Sequence, residues 1–507
     1  MKIKRGLLFF LAVIISCSMS RVPVVCAKTG EAAGCALTAE AFVENMSIGW
    51  SLGNSLDARA SGKRGEDANL EQELNWGNPP VTKELIDYVA ASGFDTIRIP
   101  VTWYYNSYVS EDGKLCVGEK WLERVQEVVD YAIENDLYVI INSHHDQQIL
   151  YAGVAQEEME QVLKNAEDLW KQIAEYFQDY DEHLIFEAYN EIDNLDNSWN
   201  YSLVAAAQLN RMNQCFVDTV RESGGNNADR LLMVQTLLGG TDTRILRAFV
   251  LPIDSAEDRL IVQVHQYSQK LGQDLEQEFY KLEQFSERIG APVIIGEFGT
   301  TEKYAIPELR EEQTSNFVAR AAEHGIKCIW WDNGSNYAII NRRDLQKSDT
   351  GMLSALQEGT KGITYELPDL QVYDNILNFK YKMPNLTNGE LEERNWGTLV
   401  TDTESGMIAI EEGTEKCMVS LFRQNRASDI WLQRILFYDR EGNYLEGKEL
   451  QSTEYICAIP EGAAYLRVSL NSPKRSITIE EFEQYLEKGQ LLLNISCFCI
   501  EDIVEAE

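Results

Sequence analysis

At 507 residues the chain is longer than one ordinary core can organise, so two domains, or one large domain with an appendage, are expected. Its formal net charge of −36 argues against nucleic acid and anionic membrane as partners, since both require basic patches, and leaves a neutral polymer compatible. With 44% hydrophobic and 25% charged residues it reads as globular and not disordered.

The N-terminus reads as an export signal over residues 1–27. Lys2, Lys4 and Arg5 form a basic stretch, Gly6 to Ile15 an apolar one, and Val25-Cys26-Ala27 a cleavage point, which implies a secreted protein. The rival reading is a lipobox at Ile14-Ile15-Ser16-Cys17, which would leave a cell-surface lipoprotein anchored through Cys17. No later stretch is apolar for long enough to span a bilayer. The ten cysteines show neither CxxC pairs nor framework spacing, so few or no disulfides are expected.

From Ile48 to Gly362 apolar strand-like runs alternate with helical patterns. IGWSLGNSLDA (Ile48 to Ala58) is a strand and a turn. Thr82 is an N-cap ahead of Leu85, Ile86 and Val89, and Thr96 to Pro100 is a strand interrupted by Arg98. A helix over Trp121 to Asn135 leads to the strand Leu137 to Asn142, which runs into Ser143-His144-His145-Asp146. A helix over Glu157 to Phe177 precedes LIFEAYNEIDN (Leu184 to Asn194), and a helix over Ala205 to Val220 precedes the strand Leu231 to Val234. The strand Leu260 to Val264 ends at His265-Gln266-Tyr267. A helix over Leu275 to Ile289 then leads to VIIGEFGTT (Val293 to Thr301), and a helix over Thr314 to His324 to the last strand, Cys328 to Trp331. Eight strands in strict alternation predict an α/β fold, a (β/α)8 TIM barrel over residues 40–362. An open doubly wound sheet would need a Gly-rich phosphate loop after the first strand, and GWSLGNSLDA does not match one. Residues 363–398 read as linker and packing segment. Residues 399–507, with period-two runs such as CMVSLF and YLRVSLN, read as a C-terminal antiparallel β-sandwich-like domain.

The polar and aromatic residues gather at the C-terminal ends of the barrel strands, the face where such barrels hold their active sites. Glu191 and Glu297 each follow a strand, 297 − 191 = 106 residues apart, or three β/α repeats of about 35 residues. Two carboxyl groups about 5 to 5.5 Å apart are what retaining glycoside hydrolysis requires, one as acid/base and one as nucleophile. Arg98 and Tyr267 are placed to hold one of them. Asn190 is suited to the 2-hydroxyl of a sugar, and Trp331 offers an apolar face to a sugar ring while Trp330 turns outward. Three of the five histidines, His144, His145 and His265, fall just past strand ends. A zinc site at His144-His145-Asp146 is a weak reading, because adjacent residues on extended chain point opposite ways. In the C-terminal region Trp396, Trp431, Tyr438 and Tyr444 could form a glycan platform, though core packing is the stronger reading.

Taken together, GWSLGNSLDA, WGNPPVT, FDTIRIPVTW, YVIINSHHD, LIFEAYNEI, VQVHQY, VIIGEFG and IWWDNG resemble glycoside hydrolase family 5 from about Ala41 to Gly362, most nearly its subfamily 4. The resemblance implies a retaining endo-β-1,4-glucanase acting on cellulose-like β-glucans or xyloglucan. It implies Glu191 as acid/base and Glu297 as nucleophile, with Arg98, His144, His145, Asn190, His265, Tyr267 and Trp331 around them. It implies no metal and no organic cofactor, and Asn54 and Trp76 match positions lining the donor subsites. The loop Arg59 to Leu74 departs from the family pattern, which touches donor-side contacts and not the chemistry. The expected partner is a β-glucan polysaccharide and the expected state a monomer. A xylanase or mannanase on the same machinery, or a non-catalytic glycan-binding protein, are the alternatives.

Overall fold

The computed structural model describes residues 37–193, 201–267, 275–300, 309–365, 382–393, 399–400, 407–423, 429–472, 478–487 and 491–498. The expected signal at 1–27, Cys17 and Trp396 lie outside them. No helix among the described residues is long and apolar enough to cross a membrane.

Eight parallel strands close into a barrel: β1 (Gly49–Leu52), β2 (Thr96–Ile99), β5 (Tyr138–Asn142), β6 (Leu184–Glu187), β7 (Leu232–Gln235), β8 (Leu260–His265), β9 (Val293–Phe298) and β10 (Lys327–Asp332), with β10 returning to β1. Between β2 and β5 lies a hairpin, β3 (Ser107–Val109) and β4 (Leu115–Val117). The helices are α1 (Ala39–Asn45), α2 (Lys83–Ala91), α3 (Glu119–Ile133), α4 (Gln156–Tyr176), α5 (Leu203–Glu222), α6 (Thr243–Ala248), α7 (Leu275–Ile289), α8 (Arg310–Glu323) and α9 (Thr350–Gly359). Thr82 caps α2 as expected, accepting from the Leu85 N–H. The hairpin and helices α1, α6 and α9 are additions to the sequence reading.

Strand alternation sorts the barrel into two cores. Outward residues such as Trp50, Ile97, Val139, Phe186 and Trp330 pack with the helices. Inward residues Ile140, Ile185, Met233, Ile261, Ile294 and Ile329 make a separate apolar layer, on which Phe42 and Val43 of α1 and Met46 just past it sit. The Ala39 N–H bonds the Asp258 carbonyl just before β8. The helix therefore stoppers the N-terminal end of the barrel, where its buried apolar side chains each contribute about 1.5–3 kcal/mol. One rung further along, the inward positions turn polar: Arg98, Asn142, Glu187, Gln235 and Gln263, all buried.

Beyond the barrel the chain is antiparallel, as expected. A short hairpin pairs β11 (Lys382–Pro384) with β12 (Leu391–Glu393). One sheet joins β13 (Leu399–Val400), β14 (Ile408–Ala409), β16 (Trp431–Tyr438), β17 (Tyr444–Ser452) and β19 (Tyr465–Asn471), and a second has the order β18 (Glu454–Ala458), β15 (Lys416–Arg423), β20 (Leu491–Phe498). Residues of both sheets share one apolar cluster, from Val419 and Leu493 to Leu432 and Val468. Helix α10 (Ile479–Glu487) adds Phe482 and Tyr485 to it. That helix corrects the all-β reading of this region: Ile479, Phe482 and Tyr485 recur at helical spacing inside a stretch dominated by period two. Tyr438, one member of the imagined glycan platform, is buried and donates to the Gly389 carbonyl.

Candidate active site

The site is assembled around Arg98, which β2 points into the barrel and which is fully buried. Its Nε and Nη2 donate to the two oxygens of Glu187 at 2.6 and 2.8 Å, Nη1 to Glu297 Oε1 at 2.7 Å, and Nη2 also to Asn190 Oδ1 at 2.9 Å. Burial works against its charge, but the carboxylates of Glu187 and Glu297 outweigh it and the guanidinium is held cationic. A fork geometry of this kind fixes three strands relative to one another. Asn142 extends the network by donating to Glu187 Oε1 at 3.1 Å.

Glu297 reaches this network through a fault in the sheet. The register steps from Val264↔Ile295 to His265↔Glu297 on one side of β9, and from Cys328↔Ile295 to Trp330↔Phe298 on the other. Strand β9 therefore carries one extra residue, a bulge at Gly296, where an added Cβ would lie 2.8 Å from Gln263 Oε1. Because Ile294 faces inward, strict alternation would turn Glu297 outward. The bulge reverses the parity, so Glu297 enters the barrel and Phe298 packs outward on Phe317 and Trp330. The second oxygen of Glu297 accepts from Tyr267 Oη at 2.8 Å. Burial, and then the carboxylates of Glu297 and Glu191, push the Tyr267 phenol well up, so it is a lasting donor.

Glu191 lies four residues past the end of β6, with φ of 41°. This left-handed conformation is costly for a residue with a side chain and marks a position held by its surroundings. Its Oε1 meets His265 Nδ1 at 2.7 Å, and the same nitrogen lies 3.4 Å from Glu297 Oε2. Burial pushes the His265 pKa down, but the two carboxylates prevail and its net direction is up. One oxygen of Glu191, one of Glu297 and a ring nitrogen of His265 all lie within 4.8 Å of one another.

Aromatic rings form the opposite side of the mouth. Trp331 faces in and Trp330 is fully buried against the helices, as alternation requires. The Trp331 indole stacks nearly parallel to His144, at 6° with 5.6 Å between centroids, and the contacts continue through His145 (4.4 Å) to Trp76 (5.4 Å), which is exposed. Gly53 lets the indole lie close to β1: a Cβ there would come within 2.6 Å of it. Asn54, at φ 58° in the turn after β1, accepts from Asn78 Nδ2 through its carbonyl. Burial pushes the His144 pKa well down and that of His145 to about 3, each helped by cationic arginines, so both rings are neutral.

Of the residues expected from the sequence, Arg98, Asn190, Glu191, His265, Tyr267 and Glu297 share one hydrogen-bonded network and Trp331, His144, His145 and Trp76 one aromatic run, while Asn54 stands in the turn beside them, bonded to Asn78 and Asp57. Glu187, Asn142 and Asp57 escaped that reading. Asp57 is buried beneath the histidine wall, where its oxygens accept the Asn54 and Ser55 N–H groups at 3.0 and 2.7 Å, and burial raises its pKa to about 7. Asp146, read beside the histidines as a weak zinc ligand, instead accepts from the Trp103 and Tyr104 N–H groups and Ser143. Asp57, His144 and His145 do bring three ligand-type atoms within 4.8 Å, as do Glu191, His265 and Glu297. In the first group backbone donors already engage Asp57. In the second the Arg98 cation stands 2.7 Å from Glu297, which disfavours another cation.

Comparisons with known proteins converge on one group. The family described as cellulase (glycosyl hydrolase family 5) matches residues 60–337. Endoglucanase A of Clostridium longisporum is 34% identical over 356 residues, 64% of this chain and 66% of that protein, so the chain spans just under two thirds of that relative. A GH5-4 broad specificity endoglucanase from Ruminococcus champanellensis, solved with bound cellotriose, superimposes with a TM-score of 0.60 at 35% identity, over 64% of this chain and 99% of that one. A glycoside hydrolase 5 lichenase from Caldicellulosiruptor sp. F32, solved as a mutant with cellotetraose, does so with a TM-score of 0.58 at 34% identity, over 64% and 95%.

Proposed function

Since the chain belongs to glycosyl hydrolase family 5 and is a glycoside hydrolase, we propose that it is an endo-β-1,4-glucanase that cleaves cellulose-like β-glucans or xyloglucan with retention, using Glu297 as nucleophile and Glu191 as acid/base. One observation carries this reading: an oxygen of Glu191 and one of Glu297 lie within 4.8 Å, and of these two it is Glu297 that accepts from Arg98 and Tyr267. That separation suits a direct attack, whereas an inverting pair needs about 6.5–9.5 Å to admit a water. Cello-oligosaccharides bound to the Ruminococcus and Caldicellulosiruptor enzymes support the β-glucan part of the reading.

In the first half-reaction Glu191 gives its proton to the glycosidic oxygen while Glu297 attacks the anomeric carbon. The bond to the leaving sugar breaks and a glycosyl ester forms on Glu297. Arg98 and Tyr267 orient the attacking carboxylate and Trp331 carries the sugar face. In the second half-reaction Glu191, now a carboxylate, takes a proton from water as its oxygen attacks the same carbon. The ester opens and Glu297 returns to its starting state. His265, bonded to Glu191 and near Glu297, keeps the two groups in register during both transfers.

Two variants on barley β-glucan, xyloglucan, xylan and mannan test the proposal. Glu297→Ala is expected to lose on the order of 10⁴-fold or more in kcat, and azide with an activated β-glucoside to restore turnover with an α-glycosyl azide as product. Glu191→Ala should spare substrates with good leaving groups far more than polymers. Undiminished hydrolysis by Glu297→Ala would end the assignment. An enzyme acting on such polymers fits export. The first residue of the processed protein distinguishes a cleaved signal, after which the chain begins at Lys28, from a lipid-modified Cys17.

A further inference from the structure

Three cysteines stand on one rung of the sheet β18–β15–β20. Cys417 of the central strand is directly opposed to Cys457 on one side and to Cys497 on the other. Directly opposed residues project from the same face, and all three abut the apolar core between the two C-terminal sheets. All are free thiols. Cys417 is fully buried, while Cys457 and Cys497, on the flanking strands, are partly exposed.

The two pairs differ. Leu421 N–H donates to Thr453 O and Ile459 N–H to Glu415 O, each across the β15–β18 register. Odd-numbered residues of β15, Cys417 among them, therefore make hydrogen-bonded pairs with β18. The backbone groups of a central-strand residue turn to one neighbour only. Cys417 and Cys497 are thus a non-hydrogen-bonded pair, whose Cα atoms approach to about 4.5 Å against about 5.5 Å for the other kind, with side chains closer. That approach lies within the range a disulfide spans. The electrostatics agree with this closeness: interaction between the two thiols raises the pKa of Cys417 and lowers that of Cys497.

We propose that Cys417 and Cys497 are a redox site that closes to a cross-strand disulfide on reaction with a low-molecular-weight disulfide such as oxidised glutathione, stapling β20 to the centre of its sheet. The partly exposed Cys497 thiolate attacks one glutathione sulfur, and the first glutathione leaves as a thiol. Cys417, too buried to meet the oxidant itself, attacks the Cys497 sulfur of the mixed disulfide. The second glutathione leaves with the Cys417 proton. The protein pair loses two electrons and the oxidant becomes two thiols. The bridge closes a span of 497 − 417 = 80 residues, and it suits an oxidising environment outside the cell.

The test uses the full chain equilibrated in glutathione buffers from reducing to oxidising, alkylated in acid and mapped by mass spectrometry. The expected result is a cross-linked peptide joining Cys417 to Cys497, with Cys457 alkylated. Melting should rise by about 5 °C or more on oxidation, return in dithiothreitol, and not respond in Cys497→Ala. A Cys499→Ser variant, at a position outside the described residues, should keep the bridge. Alkylation of both Cys417 and Cys497 at every glutathione ratio would overturn the proposal. So would a bridge from Cys417 to Cys457, or one through Cys499.

Discussion

The two sides of the barrel mouth treat the same side chain in opposite ways. On the wall, His144 is buried and His145 half-buried among aromatic rings, and burial together with the cations Arg98 and Arg59 keeps both neutral. Across the mouth, His265 is as deeply placed, but Glu297 and Glu191 overcome its burial and favour the imidazolium. Depth alone therefore does not set the charge of a histidine here; the sign of the nearest partners does. The stability windows follow. The depressed pKa of His145 contributes stability present above the ordinary pKa of about 6.5 and lost as pH falls toward 3. The raised pKa of His265 contributes stability present below about 6.5 and lost as pH rises through its folded value.

Asp57 gives the largest effect on the wall side. Its carboxyl moves from 3.8 to about 7, equivalent to about 4 kcal/mol. The raised direction means that this stability is present below pH 3.8 and lost as pH climbs through 7. Asp57→Asn removes the titration, so melting of the wild type relative to the variant should fall between pH 4 and 8. Parallel curves would show that the carboxyl is not held by burial. Next comes His265→Gln, expected to lower kcat/KM on polymer by about 10²–10³ and to remove the alkaline limb contributed by the imidazolium. An unchanged profile would mean that the carboxylates are aligned without it. For His144→Phe, which keeps a flat ring beside Trp331 but loses the contact with Asn142, about a tenfold fall is expected with no change in the shape of the pH profile. Smallest is Trp76→Ala: an exposed ring at the end of the aromatic run should raise KM about threefold and leave kcat alone.

The eight strands were legible because helix and strand periods alternate cleanly, and Glu191 because it stands past the end of an apolar run; Glu297, expected to follow its strand, instead lies inside β9 ahead of Phe298 and drew notice as the one charge in VIIGEF. What escaped has a common physical origin. Glu187 and Asn142 lie within strands, where polar residues at inward positions look like interruptions of a hydrophobic run. Their meaning comes from Arg98, 89 residues away in the case of Glu187. Alternation from Ile185 would have placed Glu187 inward, a signal that the more conspicuous Glu191 obscured. The bulge at Gly296 is harder still, since period two applied to VIIGEF turns Glu297 to the wrong face. The glycine before it was the available hint. Helix α10 was hidden by its β-rich neighbours, and α1 by its short length in an unassuming lead.

The missing side chain at Gly53 has a consequence for evolvability. The Trp331 ring rests where one extra carbon on Gly53, the first residue past β1, would stand 2.6 Å away. Exchanging the turn that opens at Gly53 would alter this clearance, whereas exchanging the loops after the other strands would leave Gly53 in place. A substitution to alanine would act the other way, shifting the ring while sparing every carboxylate. The position of the ring is thus set where scaffold meets loop, by a residue that carries no charge and touches none of the carboxylates.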